Sequence, residues 1–165
     1  MPPRNREAVA AEAEVAAVAD TDRIRGTRLT LFTVAEANRI VEEIAPEMEA
    51  LVQAGREAAR VQARIDVLEL AIAGASDDNP DVLELKSLNV QRIELKALLQ
   101  RGLKQVHRHG CVIKDLGQGL VDFYALNGDR LIFLCWKLGE PEVSHWHALD
   151  GGFATRRPVP RGDAA

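Results

Sequence analysis

The sequence predicts an α+β fold: a long antiparallel helical hairpin, coiled-coil-like, packed with a small three-stranded antiparallel sheet. Three observations carry this. Six of the seven aromatic residues fall between Phe123 and Phe153, and only Phe32 lies outside. Residues before about 110 are rich in Ala, Glu, Leu and Arg, with apolar positions at steps of three and four, as one helix face requires. Beyond 110 the period changes to two and β-formers and glycines take over.

Residues 1–28 carry almost no large apolar groups and read as a flexible arm. The hairpin is assigned to 29–109. Thr33-Val34-Ala35-Glu36 is a capping box, in which hydroxyl and carboxylate each satisfy a backbone N–H at the helix start. Ala37, Val41, Ile44, Met48, Leu51, Ile65 and Leu68 then mark an apolar seam. Pro46 interrupts the seam and is expected to kink the helix or end its first segment. A polar loop through Gly74 and Asp77 leads to Asn79-Pro80, a second helix start, with Pro suited to the first turn. Leu85, Leu88, Leu95, Leu99 and Val106 continue the pattern to Gly110, a natural stop. Two helices alone cannot enclose both stripes, which predicts a homodimer through the helices or packing on the C-terminal half.

The meander with its C-terminal loop is assigned to 110–157, with strands at 111–115, 120–126 and 131–138. Asn127-Gly128 marks the second hairpin, because both residues tolerate positive φ. The third strand is apolar on both faces and therefore central. Residues 158–165 read as a disordered tail.

The formal net charge of −4 gives no electrostatic reason to expect nucleic acid. No apolar run reaches the ~20 residues of a spanning helix, and no leader is evident, so no membrane is expected. Cys111 and Cys135 are too few for a disulfide framework, and a cytoplasmic location is expected.

Several segments in combination resemble a bacterial family of domains of unknown function, family 2203. They are Phe32-Thr33, Glu36-Ala37-Asn38, Ile113-Lys114-Asp115, Gly119 to Phe123, Leu134-Cys135-Trp136, Leu138-Gly139-Glu140-Pro141, Trp146-His147, Gly152-Phe153 and Arg156. The resemblance spans about 29–159. It implies a small helical-hairpin-plus-β protein, and it implies no activity. His147 belongs to the resembling block and His145 does not.

The chemistry concentrates in the block from Cys135 to Arg156. His145 and His147 stand two apart, so an extended segment sends both to one face and Trp146 to the other. With Glu140 they make a candidate site for a divalent metal such as zinc; the alternative is two solvated histidines over a buried Trp146. Glu140, held extended by Pro141, is a candidate ligand anchor or general base; alternatively it only locks the turn, by pairing with backbone N–H groups or Arg156. Arg156 can bind a carboxylate or phosphate with its planar fork. Trp136 and Trp146 can stack on a planar ligand, or form an aromatic core. Asp115 and Asp122, on either side of a Gly-rich turn, are expected to bond turn amides.

The leading functional expectation is an interaction or assembly module that dimerises through its hairpin. The other is a small-molecule or metal-binding protein, with hydrolytic chemistry possible, built on Glu140, His147 and Arg156.

Overall fold

A computed structural model describes residues 29–160 of the chain. Helix α1 spans Val34–Ala71 and α2 spans Pro80–Arg108. Strands follow as β1 (Val112–Asp115), β2 (Leu120–Asn127), β3 (Arg130–Lys137), β4 (His145–Ala148) and β5 (Arg157–Pro158), with a 3₁₀ turn over Phe153–Thr155. They form one antiparallel sheet in sequence order, β1-β2-β3-β4-β5.

The helix starts form as their sequences dictate. Thr33 N–H donates to Glu36 Oε2 at 2.8 Å, and Glu36 N–H donates to Thr33 Oγ1 at 3.2 Å. Asn79 caps α2 through Oδ1, with Pro80 in the first turn. Both ends of the hairpin confirm the antiparallel pairing. Near the loop, Arg64 makes a two-pronged contact with Glu84 at 2.8 and 2.9 Å. Near the sheet, Gly102 faces Leu51 so closely that a Cβ on Gly102 would overlap the leucine side chain.

The helix does not end at Pro46; α1 runs through it. The proline removes one backbone bond, a cost of ~3 kcal/mol, but Ile44 and Met48 on either side are fully buried and hold the segment on the core.

The sheet has five strands rather than three. The hairpin turn also sits one residue later than expected. Asn127 pairs with Arg130, and Gly128 (φ +63°) occupies the first central position, as in a type II′ turn. β4 has four residues and β5 two. Both are too short for an alternation pattern to stand out, and their chemical density makes them read as a loop. Backbone bonding continues through Pro158 to Val159, whose N–H donates to Ser144 O at 2.9 Å. The expected tail therefore cannot begin at 158; residues 161–165, like the arm at 1–28, lie outside the described residues.

The two faces of the sheet differ. Val121, Phe123, Ala125, Ile132, Leu134 and Trp136 point toward the helices and meet Ala37, Val41, Ile44, Met48, Leu51 and Val106. Phe32 sits edge-on to Phe123, ring centroids 5.3 Å apart. The alternate residues, Asp122, Tyr124, Phe133, Cys135 and His147, occupy the opposite face. They are buried too.

Candidate metal centre on the outer face of the sheet

Register builds the centre. Asp122 on β2 stands opposite Cys135 on β3, and His147 on β4 stands opposite Phe133, the next outer-face position. The three polar side chains therefore converge although β2 and β4 are separated by a whole strand. One ligand atom from each of Asp122, Cys135 and His147 lies within 4.8 Å of the others. They are 2 %, 1 % and 3 % exposed, so solvent satisfies none of them.

His147 Nε2 lies 2.9 Å from Asp122 Oδ2, and Nδ1 lies 2.8 Å from the carbonyl oxygen of Ala148. A carbonyl only accepts, so Nδ1 carries a hydrogen and donates it. The other nitrogen shares one proton with the carboxylate: either Nε2–H donates to Asp122, or a protonated Asp122 donates to Nε2. Burial pushes the Asp122 carboxyl up, against the opposing pull of His147. Its other oxygen, Oδ1, has no hydrogen-bond partner among the described residues. The Cys135 thiol lies beside this carboxylate and feels its charge, without a well-formed hydrogen bond to Oδ1. Burial first, and then Asp122, push that thiol up to about 12, while Arg156 opposes the rise. Cys135 is thus no activated nucleophile. Cys111 is free and buried, donates to Val106 O at 3.3 Å, and is likewise pushed up to about 12 by burial.

A second cluster lies beside the first, with Arg156 near Cys135. Arg156 donates to Glu140 Oε1 at 2.8 Å, and its guanidinium lies over the Phe153 ring, 4.0 Å from the centroid. Glu140 Oε2 accepts from the Lys137 N–H at 2.8 Å. Both carboxylate oxygens of Glu140 are therefore engaged, and Glu140 ties the strand exit to the C-terminal segment.

The residues singled out from sequence part company here. His147 joins the buried cluster. Glu140 and Arg156 pair with each other. His145 Nδ1 lies 2.9 Å from the neighbouring Ser144 hydroxyl. Trp136 is fully buried on the helix side, and its Nε1 donates to Glu140 O at 2.9 Å. Trp146 packs against the same helix-side core, with the Arg157 guanidinium 5.8 Å from its ring. Neither indole reaches the outer-face cluster. Among the described residues, Glu140 and His145 do not join His147 in a set of convergent ligand atoms; Asp122 and Cys135 do. Asp115 behaves as expected and accepts from the Gln118 N–H of the turn at 3.0 Å, whereas Asp122 does not bond a turn amide. The signal that exposes Asp122 is its position: a carboxylate amid Leu120-Val121 and Phe123-Tyr124 is a buried charge in need of a partner.

Among the described residues no helix is long and apolar enough to cross a membrane. No curated protein and no solved structure matches the chain. Residues 30–159 match the model of the DUF2203 family, described as an uncharacterized conserved protein. The chain, a helical hairpin with a five-stranded antiparallel sheet, belongs to that family.

Proposed function

We propose that this chain is a metal-binding protein that holds a divalent, thiophilic ion of the zinc class between Asp122, Cys135 and His147. One observation carries the reading: three metal-capable atoms from three strands converge within 4.8 Å of one another in a buried cluster. The Nδ1–H bond to Ala148 O leaves Nε2 as the ligating nitrogen, the usual outer support of a metal-bound imidazole. Asp122 Oδ1 is a buried acceptor without a well-formed hydrogen bond, and the Cys135 thiol lies beside the carboxylate. Cys135 supplies a soft sulfur, which selects zinc-like ions over magnesium or calcium.

Charge balance agrees. A divalent ion would displace the proton shared by Asp122 and His147 and the Cys135 thiol proton. Two positive charges leave and two enter, so the buried cluster keeps its net charge, and no desolvation penalty is added for excess charge. A monovalent or trivalent ion would break that balance. The absence of an exposed edge to the cluster favours a structural ion, tying β2, β3 and β4 together, over a catalytic one.

Elemental analysis of untagged protein after equilibrium dialysis against zinc tests this. Stoichiometric zinc is expected, with loss in Cys135→Ser. Zinc-free wild-type protein would refute it.

Self-association through the hairpin is the second reading. It is favoured by Leu83, Val90 and Ile93, exposed at helical spacing on α2. Light scattering should then give a dimer mass that Ile93→Lys reduces to a monomer mass; a wild-type monomer at high concentration would remove this reading. Two unpaired thiols suit a reducing compartment such as the cytoplasm.

A further inference from the structure

We propose that His145 is the fourth ligand of the metal centre, completing an Asp122–Cys135–His145–His147 set. The inference rests on the metal-binding reading and deepens it. A zinc-class ion enclosed in protein takes four ligands in a tetrahedron, whereas a site with three protein ligands keeps its fourth position open to water or substrate. The three ligands already named are almost wholly buried, so solvent does not reach them. The fourth donor must then come from the chain.

Strand pairing selects it. His145 stands directly opposite Cys135 in the β3–β4 register. Residues so paired share a face, with Cβ atoms roughly 4.5–5.5 Å apart. His145 also shares its face with His147, two positions along β4. A histidine pair at that spacing can grip one ion from a single short strand.

Its present commitments are light. Among the described residues its imidazole makes one hydrogen bond, between Nδ1 and the adjacent Ser144 hydroxyl, and Nε2 makes none. Its recruitment would need a side-chain rotation that gives up that bond; the β3–β4 register already sets His145 opposite Cys135. The competing donor is Glu140. Both its oxygens are engaged, by Arg156 and by the Lys137 N–H, and recruiting it would undo the contact that ties the strand exit to the C-terminal segment. Arg156 keeps its bond to Glu140 in this arrangement and, lying beside Cys135, can support the metal-bound thiolate from outside the ligand set.

X-ray absorption at the zinc edge of the loaded full-length chain tests the assignment. The expected spectrum has one sulfur, one carboxylate oxygen and two imidazoles. His145→Ala and His145→Gln should each leave one imidazole and weaken zinc binding by at least about 10-fold, the lower end of what losing even an outer supporting partner costs. Both changes fall on a half-buried residue, so the fold should persist. A single imidazole in the wild-type spectrum, or unchanged affinity in both variants, would overturn the role of His145 while leaving the triad intact. Failure of the wild type to bind zinc at all would overturn the triad as well.

Discussion

The two faces of the sheet are made by the same strands and are buried to the same degree, yet different physics holds them. β2 sends Val121, Phe123 and Ala125 to the helices and Asp122 and Tyr124 the other way. The helix-side face is stabilised by removal of apolar area from water, ~25 cal/mol per Å². The outer face buries a carboxylate, an imidazole and a thiol, which costs free energy unless each is satisfied. A buried ion pair is seldom more stable than an apolar replacement of similar volume. The first face therefore accounts for the fold, and the second calls for a reason beyond folding. The proposed ion would supply that reason by engaging the carboxylate oxygen that lacks a well-formed hydrogen bond.

The largest test of the comparison is alkaline. Cys111 belongs to the helix-side core and Cys135 to the outer face, and burial raises both thiols from 9.0 to about 12. The folded state thus holds these protons more tightly than the unfolded chain. Their contribution to stability is complete below pH 9 and is lost as pH climbs toward 12, by about 1.4 kcal/mol per pH unit for each thiol. Urea midpoints should fall accordingly as pH rises across that range, with the slope of each melt unchanged. Cys111→Ala should remove one share. Zinc should remove the other, because a metal-bound Cys135 is already a thiolate.

Phe123→Ala on the helix-side face should cost about 3–5 kcal/mol in urea unfolding, since it empties a fully buried ring site against Phe32. On the outer face, His147→Ala in metal-free protein should cost less, about 2–3 kcal/mol, because Asp122 can escape as the neutral acid. The double change Asp122→Leu with His147→Phe should recover most of that loss. If it instead proves as damaging as Phe123→Ala, the two faces do not differ as argued.

The helix-side half of this contrast was legible in the sequence. The capping box at Thr33-Glu36, the Asn79-Pro80 restart and the apolar steps along α1 are local signals, readable within a turn or two. The outer face was legible only in part. His147 stood out, but its partners Asp122 and Cys135 reach it through pairing across two hairpins, and a one-residue change in either turn would send them to the other face. β5 escaped because two residues, one of them proline, carry no strand pattern. The His-x-His spacing correctly implied one shared face; it could not disclose that His147 on β4 turns to a carboxylate on β2, across the intervening β3.

Gly102→Ala gives the smallest effect and probes the junction between hairpin and sheet. Alanine favours the helix by ~1 kcal/mol, but its Cβ meets the buried Leu51 side chain, and overpacking costs about 1–3 kcal/mol. A net loss of about 1 kcal/mol is expected, with zinc affinity unchanged, because the contact lies on the helix side of the sheet.

The most direct test of the central claim is titration of metal-free, untagged protein with cobalt(II), followed by absorption. Saturation at one ion per chain, with tetrahedral d–d bands and a thiolate-to-cobalt charge-transfer band that Cys135→Ser abolishes and Cys111→Ala leaves intact, is the result this account requires. Cobalt that stays hydrated, or a charge-transfer band that survives in Cys135→Ser, would contradict it.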